Sequence, residues 1–201
     1  DDACSNTCGI GLERIELTSA GGCGITERGE LRCWGQGAFG DHSTTPSTTT
    51  NRPVAVPAVP NVTDLSAHSN RLCARTSEGQ LWCIGRRDSD RARFTQTIDP
   101  SVQFEIFGDD IYTFGGDNIL RRLSNTDPTE WIFGADRPIQ MAKSTRHFCL
   151  RTQNGRVYCM GEASTGALGF ADNRRTFWSL QPLPIENVVD LAVSSYFGCA
   201  L

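Results

Sequence analysis

The sequence has no run of about eighteen apolar residues, the length a helix needs to cross a bilayer, so no membrane span is expected. Several enzyme signatures are missing too. No G-x-S-x-G turn, H-E-x-x-H pair or Walker phosphate loop occurs. The Gly-rich CGIGLER near the start runs into a strand-like stretch, which removes the strand–turn–helix setting a nucleotide site needs. Histidine is scarce. His42, His68 and His147 fall at unrelated places and read as ordinary surface or internally satisfied side chains. Basic excess is also absent: Lys and Arg total 19 against 23 Asp and Glu, a net charge of −4, which argues against a nucleic-acid surface. The local arginine groups (Arg86, Arg87, Arg91 and Arg93; Arg121 and Arg122; Arg174 and Arg175) read as solvated loop charges. Asp109, Asp110, Asp117 and Asn118 suit turns better than a calcium loop, whose ligand spacing they do not follow. Catalysis, a cofactor and a metal are not expected.

What the chain does have is cysteine in a frame. Cys23 and Cys33, Cys73 and Cys83, and Cys149 and Cys159 are each ten apart, in CGITERGELRCWG, CARTSEGQLWCIG and CLRTQNGRVYCMG. Gly29, Gly79 and Gly155 stand six after the first Cys; Leu31, Leu81 and Val157 follow two later. Gly35, Gly85 and Gly161 come two after the second Cys. Such self-similarity marks a repeat architecture.

Each copy reads as a β-hairpin. If the cysteines face each other, the loop is three residues long with Gly last, where a left-handed residue is needed. Opposed Cβ atoms on antiparallel strands lie near disulfide distance, so cross-strand bonds Cys23–Cys33, Cys73–Cys83 and Cys149–Cys159 are expected. Zinc is the competing reading, disfavoured because zinc knuckles space their ligands by two to four residues. Cys4 and Cys8 can bridge each other or reach elsewhere. A fourth copy, YTFGGDNILRRLS, puts Tyr112 and Arg122 in the Cys positions and Asn118 in the Gly position. A fifth starts at SSYFGCAL, where Cys199 would need a partner near position 209; the chain is expected to be cut in mid-repeat. The opening DDACSNTCG reads as a mature or trimmed start.

Eight residues before each first frame position stand Ile15, Leu65, Phe104, Met141 and Leu191, and NVTDLSAHS resembles NVVDLAVSS, so a half-buried strand precedes each hairpin. A repeat is then three strands and a variable polar loop, recurring at steps of 37 to 50 residues. The expected organisation is a Cys-containing segment, 1–10, and one array over 11–201. Its frames lie near 12–60, 61–100, 101–137, 138–186 and, in part, 187–201.

The CWGQGAFGDHSTT and NRPVAVPAVPNVTDL stretches, and YCMGEASTGALGFADN with Gly161, Gly166, Leu168 and Gly169, resemble the repeat of the regulator of chromosome condensation family, in its Cys-paired secreted bacterial variety. The resemblance covers nearly everything after about residue 11. It departs in the copy around Tyr112, which lacks the cysteines and the Trp-Gly signature, and in the loop after Gly85. It implies an all-β fold, a β-propeller with about four and a half blades of a seven-bladed ring in this chain. The remaining blades would belong to another fragment, or the array closes differently.

Fold does not fix function. Loops that vary on a stiff frame imply a binding or structural module contacting a protein, a sister subunit or a surface polysaccharide. Paired cysteines imply a secreted, periplasmic or cell-surface setting. Trp131 and Trp178, in the variable segments, are the candidate contact residues. The STTPSTTTN loop reads as an exposed connection, and Asn61-Val62-Thr63 is a formal glycosylation acceptor. The alternatives are guanine-nucleotide exchange with chromatin binding, as in the family's founding member, and a hydrolase or lyase on a propeller scaffold.

Overall fold

A computed structural model of the chain describes residues 11–19, 21–35, 50–85, 93–124, 128–164, 166–169 and 176–201. Among them there is no helix, and every regular element is a strand. The chain divides into two compact units, Asp1–Pro100 and Ser101–Leu201.

The first unit holds two four-stranded antiparallel sheets in chain order: β1 (Leu12–Leu17), β2 (Gly21–Thr26), β3 (Leu31–Gly35) and β4 (Thr50–Ala55), then β5 (Val62–His68), β6 (Arg71–Thr76), β7 (Gln80–Gly85) and β8 (Arg93–Thr97). The second unit holds two more. They are β9 (Gln103–Phe107), β10 (Asp110–Phe114), β11 (Ile119–Leu123) and β12 (Thr129–Ile132), then β13 (Pro138–Lys143), β14 (His147–Thr152), β15 (Val157–Glu162) and β16 (Thr176–Pro182). A pair, β17 (Leu191–Val193) and β18 (Gly198–Ala200), ends the chain. The expected three-strand repeat is thus corrected to four. β4, β8, β12 and β16 return after the variable loop and pair with the third strand of their sheet.

In β2 and β3, Cys23 faces Cys33 and Ile25 faces Leu31, and the other two cysteine hairpins keep the same register. The three pairs are disulfides. Each hairpin closes through a buried threonine three residues after the first Cys. Thr26 Oγ1 accepts from Glu30 N at 3.1 Å, Thr76 Oγ1 from Gln80 N at 3.2 Å and Thr152 Oγ1 from Arg156 N at 3.2 Å. The turn glycines Gly29, Gly79 and Gly155 have φ of +72°, +78° and +75°. In the hairpin without cysteine Tyr112 faces Arg122, but the left-handed residue is Gly115 at +91°, not Asn118. Asp117 there is engaged locally: its carboxylate accepts from Arg121 at 2.7 and 3.0 Å and from Ile119 N at 3.1 Å. Chiefly the Arg121 bond holds that carboxyl below the usual carboxylate range.

Sheets stack by one rule within each unit. The cysteine face of one sheet buries the frame apolar residue of the next: Leu65 joins Cys23 and Cys33 in one core, and Leu191 joins Cys149 and Cys159 in another. Where Tyr112 replaces cysteine, Met141 and Phe148 pack against it. Backbone bonds reinforce the stacking, since Gly29 O accepts from Val62 N at 2.9 Å and Gly155 O from Val188 N at 3.0 Å. The preceding Asn61 and Asn187 take left-handed φ of 52° and 59° to make that approach.

Candidate binding face

The strand directions sort the loops by end. The second strand begins where the third strand ends: Gly21 faces Gly35, Arg71 faces Gly85 and His147 faces Gly161. The turn between the first two strands and the variable loop after the third therefore leave from one end of each sheet. The opposite end carries the Gly turns and the sheet-to-sheet connections, already committed to the backbone bonds above. Freedom to vary is thus concentrated at one end.

In the second unit that end is built around the turn Ser144–His147. Ser144 Oγ accepts from Arg146 N and His147 N, each at 3.2 Å, and Ser144 N donates to His147 O at 2.8 Å. The same four-residue device recurs at Ser194–Phe197, where Ser194 N donates to Phe197 O at 2.8 Å, and the two turns touch through the Thr145 and Ser195 hydroxyls at 3.3 Å. Arg146 is thereby held out over its neighbours. Its Nη1 lies 3.1 and 3.2 Å from the two carboxylate oxygens of Glu162, and its guanidinium carbon 5.8 Å from the centroid of the Tyr196 ring. Glu162 also accepts from Ser164 Oγ at 2.5 Å. That bond first, and Arg146 after it, keep the Glu162 carboxyl below the ordinary glutamate range.

Beneath this exposed group His147 is completely buried. Its Nδ1 lies 3.2 Å from Ser144 Oγ, while the buried Nε2 has no hydrogen-bond partner. Burial lowers its pKa, partly opposed by Glu162, so the imidazole is neutral at pH 7. The sequence reading of an ordinary, satisfied histidine is corrected on this point. Gly161 opposite has φ of +120°, and a Cβ there would lie 2.5 Å from Arg146 O, so only glycine lets the two strands approach.

The two candidate tryptophans part company. Trp178, on β16 next to Phe177, which pairs with Gly161, is 85% exposed and stands near the same end as Arg146 and Glu162. Trp131, on β12, is half-buried and stacks on Tyr112 at 6.4 Å between centroids. It packs the sheet instead of presenting a surface. Trp82 and Tyr158 likewise pack, Tyr158 edge-on to Phe133 at 5.0 Å. Cys4, Cys8, His42, Arg86, Arg87, Arg91, Arg174, Arg175 and residues 43–49 lie outside the described residues.

No protein-family profile matches the sequence, and no curated protein does. Solved structures match in fold. Human WBSCR16 superposes with a TM-score of 0.77 at 16% identity, covering 96% of this chain and 58% of that one. Yeast RCC1 (Prp20), in its complex with Kap60, gives 0.77 at 14% identity, covering 96% and 54%. The ectodomain of the Physcomitrella patens receptor kinase CR4 gives 0.55 at 19% identity, covering 96% and 58%. The described residues therefore have the fold of an RCC1-like β-propeller, as four four-stranded sheets and a two-stranded pair. The chain spans a little over half the length of these structures.

Proposed function

We propose that this chain is part of an extracellular or surface-exposed binding propeller that holds another protein, or a sister subunit, against the loop end of its sheets. One observation carries the reading. At the loop end of the fourth sheet an exposed Trp178 stands near a pre-arranged Arg146–Glu162–Tyr196 group, while the other end is tied up in backbone bonds. Aromatic and arginine side chains on a stiff support are the usual anchors of protein recognition. Three disulfides support an oxidising setting, and the CR4 ectodomain is an instance of a related fold in a receptor's ectodomain. Yeast RCC1, bound to Kap60, is an instance of a protein of this fold that has a protein partner.

The test places a photo-crosslinking residue at position 178 or, as a control, at position 28 on the Gly-turn end, in protein exposed to the outer surface fraction of its source cells. The expected result is a discrete polypeptide adduct at 178, absent at 28 and lost when Arg146→Ala is added. Adducts at 28 alone, or adducts with a small GTPase, would replace this reading with the exchange-factor alternative.

A further inference from the structure

The motif Asn61-Val62-Thr63 opens β5 at the Gly-turn end of the second sheet, and the fold accounts for only part of it. Asn61 has a backbone reason. Its left-handed φ of 52° recurs at Asn187, its O accepts from Ser77 N at 2.9 Å, and Val62 N after it donates to Gly29 O. Thr63 has no such reason. It is the extra residue of a β-bulge: Val62 faces Thr76 and Asp64 faces Arg75, which leaves Thr63 outside the register. The first and fourth sheets carry the same bulge with Glu13 and Ile139 in that place. A bulge that accepts Glu, Thr and Ile does not call for a hydroxyl. The Thr63 hydroxyl donates to Arg75 O at 3.2 Å, a bond that the Ile139 bulge does without. Asn187 is followed by Val188 and Val189, so the same backbone turn also forms without the motif. Asn61 and Thr63 are both exposed, and both border a hollow of about 500 Å³ whose walls include the polar side chains Glu13, Glu27, Arg28 and Ser77.

We propose that Asn61 is a site of N-linked glycosylation, read through the hydroxyl of Thr63. The inference rests on the outward-facing setting proposed above, because the sugar donor is met on the export route. That donor is an oligosaccharide joined through C1 of its first sugar to a lipid pyrophosphate. The side-chain amide nitrogen of Asn61 bonds to C1 as the bond from C1 to the pyrophosphate oxygen breaks. The lipid pyrophosphate leaves with that electron pair, and the amide nitrogen gives up one proton. Nothing is oxidised or reduced. The folded chain then tolerates the product: the attachment point is exposed, Asn61 serves the fold through its backbone, and the hollow leaves room for the first sugars with polar groups to meet their hydroxyls. The glycan leaves from the Gly-turn end, so the loop end of the same sheet stays open to a partner.

The experiment uses the protein isolated from its source cells, with free thiols trapped and no reductant added. Peptide-N-glycosidase in heavy-oxygen water releases an N-linked glycan and leaves a labelled aspartate at its attachment point. One peptide map then reads position 61 and the cysteine pairs together. The expected result is the heavy-oxygen label at position 61. Thr63→Ala, made in the same cells, is expected to lose the label and to lower the intact mass by that of the glycan, whereas Thr63→Ser keeps both. An unlabelled Asn61 in protein whose six frame cysteines are paired would overturn the glycan and leave the outward-facing reading in place. An unlabelled Asn61 together with six free thiols would overturn both. A label that survives Thr63→Ala would also overturn the proposal, since the modification would then not depend on the motif.

Discussion

Gln140 on β13 donates its side-chain amide to Asp190 Oδ1 on β17 at 2.6 Å, and in the first unit the residues at the same frame positions, Arg14 on β1 and Asp64 on β5, form an ion pair. These first-strand residues bridge successive sheets within a unit. In each case a residue opposite on the hairpin completes the group: Arg75 reaches Asp64 at 3.3 Å, and Arg151 Nε donates to Gln140 at 2.8 Å.

Asp64 is the least replaceable member. It is buried between two arginines and also accepts from Leu65 N at 3.0 Å, while burial pulls the Arg75 guanidinium below its ordinary range against the opposing pull of Asp64. Asp64→Ala removes the buried carboxylate that pairs with both Arg75 and Arg14 and is expected to cost about 3 kcal/mol. Denaturant unfolding will show this as a lowered midpoint. Gln140→Ala, at the more exposed bridge, is expected to cost under about 1 kcal/mol.

The turn glycines give a graded test. Gly155 and Gly166 share φ of +75°, but a Cβ on Gly155 would sit 2.7 to 2.9 Å from the backbone of Val188 and Asn187, whereas one on Gly166 meets nothing within 4 Å. Gly166→Ala is expected to cost about 1 kcal/mol from backbone strain alone. Gly155→Ala must cost more and loosen β17, with faster amide exchange at Val188 as the readout. Equal costs at the two sites would mean that the turn does not clasp the next strand.

His147 sets a pH dependence. Its folded pKa is lowered, so the unfolded chain binds the proton more readily, and stability is full above about pH 6.5 and falls as the pH drops below that value. Glu162, lowered from the usual glutamate range, adds a further loss at more acid pH. Thermal melts between pH 7.5 and 5 are expected to show a declining Tm. His147→Phe, which places there the residue found at the equivalent Phe197, should flatten that decline.

Much of the fold was legible because the hairpin frame is local. Two cysteines ten apart with a Gly between define a register that needs no information from elsewhere in the chain. The fourth strands were not legible. TNRPVA, RFTQT, TEWI and TFWSLQP share no pattern and follow loops of different length, since an outer strand needs only backbone pairing. Which of the two tryptophans stands exposed was not legible for the same reason. Trp131 and Trp178 both lie on fourth strands, and only the pairing register decides that one stacks on Tyr112 while the other faces solvent. Two polar devices had a signal that went unread. The Thr three after each first cysteine recurs as Thr26, Thr76 and Thr152, and Asp136 caps the last of these turns, accepting from Thr152 Oγ1 at 2.7 Å and Asn154 N at 3.0 Å.

Stapling by sulfur also predicts a stability difference. Replacing both Cys149 and Cys159 by Ser frees a short loop in the unfolded chain and is expected to cost about 2–3 kcal/mol. A smaller change in the unfolding midpoint would mean that packing alone holds the hairpin.

The setting and the frame meet in one measurement: peptide mapping, without reductant, of the protein isolated from its source cells after trapping free thiols. The account predicts cross-linked peptides joining Cys23 to Cys33, Cys73 to Cys83 and Cys149 to Cys159. Six trapped thiols at these positions would contradict it and return the protein to a reducing compartment.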